Sequence, residues 1–150
     1  MSQPVAKIVY ASMTGNTEEI AEIITDELNK LGAEAEMLLS DDAAPEDFED
    51  ADICVVATYT YDDGDVPSDI IDFYDDLADV NLEGKIYGVA GSGDTLYEYY
   101  CKAADDFDKR FEETGATRGS NVVKIELAPE EDDIKKLEIF AKELMDAVNQ

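Results

Sequence analysis

The sequence lacks histidine and has little positive charge. It has 11 Lys and Arg residues against 38 Asp and Glu, a formal net charge of −27 at pH 7 over 150 residues. Without histidine, His-based catalytic triads, His general bases and His metal sites are excluded. A strongly acidic surface repels phosphate backbones and anionic lipid headgroups, so nucleic acids and membrane surfaces are poor candidates as partners. We expect the protein partners to be basic.

Cysteines and long apolar runs are also scarce. Two cysteines, Cys54 and Cys101, make neither a disulfide framework nor a zinc-ligand set. Cys54 lies within the apolar run 53–57, where a buried small residue is the default. The longest apolar stretches, at about five residues, are too short to span a membrane, and the N-terminus has no signal-peptide pattern. These features predict a soluble cytoplasmic protein.

The apolar content is nevertheless sufficient for a folded core. Leu, Ile, Val and Phe make up 36 of the 150 residues, above the disordered range of under ~20 %. The length suits one domain, and no repeat, linker or low-complexity tract interrupts the chain. We therefore expect residues 1–150 to form a single domain.

Apolar periodicity alternates between strand and helix along the chain. Five strands are predicted, at Val5 to Ala11, Ala33 to Leu39, Ile53 to Ala57, Ile86 to Ala90 and Asn121 to Leu127. The second and the fifth of these alternate between apolar and polar residues, as edge strands would. Helical faces are predicted for Ile20, Ile23, Ile24, Leu28 and Leu31, for Phe107 and Phe111, and for Ile134, Leu137, Phe140, Ala141, Leu144 and Val148. Right-handed crossovers give an α/β fold, an open parallel sheet with helices on both faces. Such sheets bind ligands at the carboxyl ends of their strands.

The loop after the first strand has the composition of a phosphate site. It reads Ser12, Met13, Thr14, Gly15, Asn16, Thr17 and leads into a helix starting near Glu18. Backbone N–H groups and hydroxyls at a helix N-terminus suit a phosphate. Neither the triphosphate loop nor the three-glycine dinucleotide pattern is present, which favours a monophosphate. An ordinary capped turn is the alternative, since Asn16 and Glu19 make a capping pair.

The loops after the third and fourth strands are rich in tyrosine. They run from Thr58 to Pro67 and from Ala90 to Cys101, and hold five of the eight tyrosines. At strand ends, tyrosines form stacking walls for a flat ring, although they also serve to anchor loops. Together with the first loop, they favour a planar aromatic ligand that carries one phosphate.

The chain resembles the flavodoxin family along its whole length. The resemblance rests on Ala6-Lys7-Ile8-Val9-Tyr10, on Ser12 to Thr17, and on Gly91-Ser92-Gly93-Asp94 with Tyr97. It implies a flavodoxin-like doubly wound sheet of five parallel strands in the order 2-1-3-4-5. It also implies a monomeric, low-potential electron carrier without enzyme activity, which binds FMN non-covalently. The fifth strand runs straight into the Pro129 helix, so the chain is similar to short-chain members.

The resemblance also implies roles for individual residues. Ser12, Thr14, Asn16 and Thr17 would hold the phosphate, within a loop that includes Met13 and Gly15. Thr60, Tyr61 and Asp62 would lie against the inner ring face and its N5 edge, beside Thr58, Tyr59 and Gly64. Tyr97 would stack on the outer face, backbone groups of Ser92, Gly93 and Asp94 would meet the pyrimidine end, and Tyr99, Tyr100 and Cys101 would line the base of that loop.

The acidic residues affect the expected redox potential of the flavin and the choice of protein partners. Asp41 to Asp52 and Asp62 to Asp76 hold seven carboxylates each. Most surface charge simply solvates a loop or helix, but the second run borders the expected flavin edge. It is the better candidate for attracting basic redox proteins such as flavodoxin reductases and other oxidoreductases. A carboxylate about 12 Å from reduced flavin would lower its second potential by ~30 mV at an effective dielectric of ~40.

Three alternatives remain open at this stage. A phosphoacceptor signalling domain would carry an Asp at the end of the third strand and a Lys at the end of the fifth. Here Thr58 and Tyr59 end the third strand, and Lys124 lies within the fifth. A quinone-reducing flavoenzyme would need a second nucleotide site, which no motif indicates. An acidic protein-binding module would need no cofactor.

Asp62 departs from the family pattern and generates a testable prediction. Flavodoxins usually have glycine after the inner aromatic residue, which here is Tyr61 where many short-chain members have tryptophan. In flavodoxins one-electron reduction turns this peptide into a positive-φ conformation, so the resemblance implies the same turn here, which Asp would adopt at a cost of roughly 1 kcal/mol. We expect Asp62→Gly to raise the potential of the first one-electron couple by ~40 mV, measured by redox titration beside the parent. An unchanged couple would contradict this.

Overall fold

Strands and helices alternate along the chain. The structure is a computed structural model and describes residues 3–11, 15–59, 66–67, 70–93, 101–126 and 129–148. The strands are β1 Val5–Tyr10, β2 Glu34–Leu39, β3 Ile53–Tyr59, β4 Ile86–Gly93, β5 Thr117–Arg118 and β6 Val123–Glu126. The α-helices are α1 Asn16–Lys30, α2 Ile71–Leu77, α3 Lys102–Glu113 and α4 Glu131–Val148, and short 3-10 segments at Ser40–Asp42 and Pro45–Asp50 precede β3.

The strands form one parallel sheet. Its order is β2-β1-β3-β4, and both β5 and β6 pair with the free side of β4. The predicted order 2-1-3-4-5 is therefore confirmed, with β5 and β6 as two segments of the fifth position. β2 lies at one edge, as its alternating pattern predicts.

Helices cover both faces of the sheet because its central strand is apolar on both sides. Residues 53–58 of β3 are all fully buried. On one face, α1 and α4 pack through Ile24 and Phe140 among others. On the other face, α2, α3 and the second 3-10 segment pack through Phe73, Phe107 and Phe48. This doubly wound arrangement confirms the predicted α/β fold class.

Two of the predicted strand ends were wrong. β3 continues to Tyr59 and β4 continues to Gly93, so residues expected to begin loops lie in the sheet. Gly91 and Ser92 disfavour strands by propensity. Pairing overrides propensity here, since Ser92 lies between Tyr59 of β3 and Ile125 of β6.

The prediction of an unbroken fifth strand from Asn121 to Leu127 was also wrong. β5 and β6 are separated by residues 119–122, and Leu127 lies outside the described residues. A Cβ at Gly119 would lie 2.5 Å from Ile86 Cγ2, so the chain passes close to the sheet between the two segments. Arg118 anchors β5 through hydrogen bonds from Nε and Nη2 to the carboxylate of Asp108, the first over 2.9 Å.

The predicted helical faces hold with two exceptions. Leu31 and Ile134 were expected to face the core, but each is 37 % exposed. Leu31 follows the last residue of α1, and Ile134 lies in the first turn of α4, before Leu137, the first buried residue of that helix. Within the described residues, no helix combines the length and apolar composition needed to cross a membrane.

The prediction that Cys54 is a buried small residue is confirmed. Its side chain is fully buried in β3. Burial raises the pKa of the Cys54 thiol to about 12, so the thiol stays protonated at neutral pH and is a poor nucleophile.

The packing of α4 on β4 depends on the absence of a side chain at Gly88. A Cβ there would lie 2.6 Å from Cζ of buried Phe140 and 3.0 Å from Cδ2 of Leu144. We expect Gly88→Ala to lower the free energy of unfolding by about 1–3 kcal/mol, because it overpacks this contact. Chemical denaturation measures the change. Combining it with Phe140→Leu should recover part of the loss, and a Gly88→Ala variant as stable as the parent would contradict the packing.

Candidate functional site

The carboxyl ends of β1, β3 and β4 lie side by side. Tyr10 at the end of β1 pairs with Ala57, and Tyr59 at the end of β3 pairs with Ser92. The chain after β1 leads to α1 on one face, whereas the chain after β3 leads to α2 on the other. Such a reversal opens a crevice between the two connections, where open α/β sheets bind their ligands.

The start of α1 offers backbone donors to an anion. Gly15 is the N-cap, with φ +92°, and the first helical hydrogen bond runs from Glu19 N–H to the Gly15 carbonyl over 3.0 Å. The predicted Asn16–Glu19 capping pair was wrong, because Asn16 is already the first helical residue. The first-turn N–H groups of a helix have no acceptor within it, and they favour an anion.

A buried hydroxyl pair links this helix to the end of β4. Thr17 Oγ1 and Ser92 Oγ lie 2.9 Å apart and share a hydrogen bond, although the residues are 75 positions apart in the chain. Thr17 is 2 % exposed and Ser92 is 4 % exposed. The contact joins the expected phosphate loop to the strand expected to meet the pyrimidine end of the ring.

The start of α3 is held close to the same strand end. A Cβ at Gly91 would lie 2.8 Å from the Cβ of Ala104, so glycine allows α3 to approach β4. Cys101 is fully buried and precedes α3 with φ +54°, the only positive φ outside glycine in the part of the chain that the structure describes. Thr58, also fully buried, donates its hydroxyl to the Tyr59 carbonyl over 3.0 Å.

The site lies in a negative electrostatic environment. Burial raises the pKa of the Tyr10 phenol at the end of β1, and the charges of Glu18, Glu22 and Asp42 raise it further. Between Lys30 and Lys85 the sequence has 18 Asp and Glu residues and no Lys or Arg. An anion bound here has to be held by N–H and hydroxyl groups against the repulsion of these carboxylates.

Eight of the predicted site residues are described, and they converge on this edge of the sheet. They are Gly15, Asn16, Thr17, Thr58, Tyr59, Ser92, Gly93 and Cys101. Ten others lie outside the described residues, namely Ser12, Met13, Thr14, Thr60, Tyr61, Asp62, Gly64, Asp94, Tyr97 and Tyr100.

Sequence reasoning assigned only a backbone role to Ser92 and missed its side-chain contact with Thr17. The available signal was a lone hydroxyl residue in a run of Gly, Val and Ala.

Two cavities lie away from the predicted ligand residues. One, of about 310 Å³, lies between β6 and α4 and includes Ser120, Lys124 and Ile139 in its lining. The other, of about 230 Å³, lies between the first 3-10 segment and α2, and includes Asp41 and Asp76. Across the described ranges no group of three or more Cys, Asp or Glu side chains is arranged to hold a metal ion.

Comparison with known proteins identifies the family of the chain. The flavodoxin family model matches residues 8–140. The chain belongs to the flavodoxin family. Flavodoxins transfer electrons on FMN to redox enzymes and are not themselves enzymes, and FMN-based electron transfer is the function of this chain.

Individual flavodoxins resemble the chain over nearly its full length. The probable flavodoxin 2 of Bacillus subtilis is 37 % identical over 139 residues, which cover 91 % of each chain. The structure of a Streptococcus pneumoniae TIGR4 flavodoxin has 57 % identity and a TM-score of 0.94, and covers 95 % of this chain and 99 % of that one. A short-chain flavodoxin associated with a bacterial microcompartment has 46 % identity and a TM-score of 0.95, with coverage of 97 % and 99 %.

Membership of the flavodoxin family decides between the alternatives left by the sequence. It identifies FMN as the cofactor, which argues against a cofactor-free module and a phosphoacceptor domain. Flavodoxins are electron carriers and not enzymes, which argues against a quinone-reducing flavoenzyme. A phosphoacceptor domain would also have a Lys at the end of the fifth strand. Here Lys124 lies inside β6, and its ammonium group contacts Asp105 Oδ2 over 2.8 Å.

Proposed function

We propose that this flavodoxin binds FMN non-covalently in the crevice beside β1, β3 and β4, and carries electrons at low potential between basic redox proteins. The observation that carries the proposal is the start of α1, where Gly15, the first-turn N–H groups and the buried Thr17 hydroxyl together suit a phosphate. FMN, when bound, supplies the redox chemistry, and the protein binds and tunes it.

The phosphate would be held by neutral groups. We assign this role to Ser12, Thr14, Asn16 and Thr17 with the backbone of Met13 and Gly15. The residues 12–17 contain no Lys or Arg, so hydrogen-bond donors alone have to compensate for the charge of the phosphate. Helix N-termini and consecutive backbone N–H groups bind phosphates in this way.

The ring would lie across the ends of β3 and β4. We assign its contacts to Thr58, Tyr59, Thr60, Tyr61, Asp62 and Gly64 at and after the end of β3, to backbone groups of Ser92, Gly93 and Asp94 at the end of β4, and to Tyr97, Tyr100 and Cys101 after it. Support comes from the pairing of Tyr59 with Ser92, which brings the two connections together. Gly91 and the buried Cys101 fix the start of α3 against the same edge.

The surrounding carboxylates would lower the potential. They disfavour the addition of negative charge in the crevice, most strongly where burial reduces screening by solvent. Burial is the main reason why the pKa of the Tyr10 phenol is raised, and the charges of Glu18, Glu22 and Asp42 raise it further; this second contribution is the same repulsion, acting at the end of β1. The π-faces of tyrosine rings stacked on the flavin would also disfavour added negative charge and so lower its potential.

The partners would dock on the acidic side of the crevice. Asp72, Asp75 and Asp76 are exposed on α2, which follows the loop expected to flank the ring. The segment 31–84 has no Lys or Arg, and the guanidinium of Arg110 on α3 stacks on the ring of Tyr74 on α2, so the segment as a whole stays strongly negative. We propose basic redox proteins as partners, flavodoxin reductases and other oxidoreductases among them. The protein would act as a cytoplasmic monomer comprising one domain, without nucleic-acid or membrane contacts.

The binding proposal is tested by adding FMN to the apo-protein. We expect one FMN per chain, loss of flavin fluorescence on binding, and a yellow protein that absorbs near ~450 nm. Protein that stays colourless and leaves flavin fluorescence unchanged would overturn it.

The partner proposal is tested with matched charge variants. We expect Asp72→Asn with Asp76→Asn to slow reduction by a basic flavodoxin reductase several-fold at low ionic strength, because steering by exposed charges sets the association rate. The difference should shrink in high salt. The control, Glu138→Gln with Asp146→Asn on exposed positions of α4, removes equal charge on the opposite face. Equal slowing by both pairs would contradict docking at the α2 side.

A further inference from the structure

The Thr17–Ser92 contact has a chemical feature that packing alone does not explain. Both hydroxyls are almost fully buried and lie 2.9 Å apart. Each hydroxyl has one hydrogen to donate and two lone pairs that accept. The shared bond uses one hydrogen, so one of the two residues retains a hydrogen for another acceptor. The residue that retains this hydrogen determines which further acceptor the pair can bind.

Strand pairing on both sides fixes the backbone position of Ser92. Ser92 lies within β4, paired with Tyr59 on one side and Ile125 on the other. Thr17 lies in the first turn of α1, beside the N-cap Gly15. The Ser92 hydroxyl, carried by this paired strand, is therefore placed to orient the Thr17 hydroxyl at the N-terminus of α1.

We propose that Ser92 is a positioning residue for the phosphate site, because its hydroxyl donates to Thr17 Oγ1 and leaves the Thr17 hydrogen free for a phosphate oxygen. This rests on the proposed binding of FMN at the start of α1. The result is a donor chain from Ser92 through Thr17 to the phosphate. Hydrogen bonds in such a chain polarise one another and strengthen the last one.

The negative charge of the protein makes a stronger hydrogen bond from Thr17 useful for binding a phosphate. The residues 12–17 have no cation, Glu18 and Glu19 occupy the first turn of α1, and the protein as a whole carries −27. A hydrogen bond to a charged acceptor is about twice as strong as one between neutral groups. A polarised Thr17 hydroxyl therefore compensates in part for the absent Lys or Arg.

A purely structural tether makes a different prediction from a positioning role. If Ser92 only holds β4 and α1 together, its loss should weaken every flavin in the crevice alike. If it orients Thr17, its loss should weaken FMN and spare riboflavin, which has the same ring system without the phosphate. The ratio of the two affinities separates the roles.

The test compares Ser92→Ala with Ser120→Ala. Ser120 is a matched control, since it is 8 % exposed and its hydroxyl donates to Glu143 Oε1 over 2.8 Å, away from the crevice. We measure dissociation constants for FMN and riboflavin by quenching of flavin fluorescence. We expect Ser92→Ala to weaken FMN about 10-fold, the effect of losing one hydrogen bond of about 1.4 kcal/mol, with riboflavin changed less than about twofold. Ser120→Ala should change neither.

Equal weakening of both flavins by Ser92→Ala, or no weakening of FMN, would overturn the positioning role. Ser92→Cys, which keeps a weak donor, should fall between the parent and Ser92→Ala, and it provides the comparison if the alanine variant does not fold. A double-mutant cycle with Thr17→Val should show that the two losses are not additive. A parent protein that binds neither flavin would instead contradict the proposed function, so the two failures are distinguishable.

Discussion

The central strand of the sheet has to be covered on both faces, and this requirement arranges the rest of the molecule. Residues 53–58 of β3 are fully buried, so helices must lie on both sides. The connections after β1 and β3 therefore leave the sheet in opposite directions. A crevice at their carboxyl ends follows from the topology, and flavodoxins use it to hold FMN. In the proposed site, burial of an apolar strand would thus determine where this chain holds FMN.

The second constraint is charge. A protein with a net charge of −27 has to bind a cofactor that carries a phosphate of the same sign. We assign the binding to neutral donors, namely the N–H groups at the start of α1 and a Thr17 hydroxyl oriented by Ser92. The same carboxylates that oppose the phosphate would lower the flavin potential and attract basic partners. Binding, potential and partner choice would then share one electrostatic origin.

Much of the fold was predictable because apolar periodicity reports burial directly. The buried run in β3, the edge position of β2 and the helical faces of α1 and α4 all follow from it. The end of β4 was not predictable, since Gly91 and Ser92 stay in the sheet only through pairing with Tyr59 and Ile125. The split of the fifth strand was not predictable either, since Arg118 of β5 is held by Asp108 of α3, and no local pattern connects these two residues. The Thr17–Ser92 contact spans 75 positions, and only the folded chain brings the two hydroxyls together.

The salt dependence of FMN affinity, taken relative to riboflavin, tests the central claim most directly. If neutral donors hold the phosphate against a field of carboxylates, screening between about 20 mM and about 500 mM salt should strengthen FMN binding relative to riboflavin. The affinity should rise because salt screens the repulsion between the carboxylates and the FMN phosphate. A relative FMN affinity that falls steeply over the same range would indicate attraction by a cation, and would contradict the account.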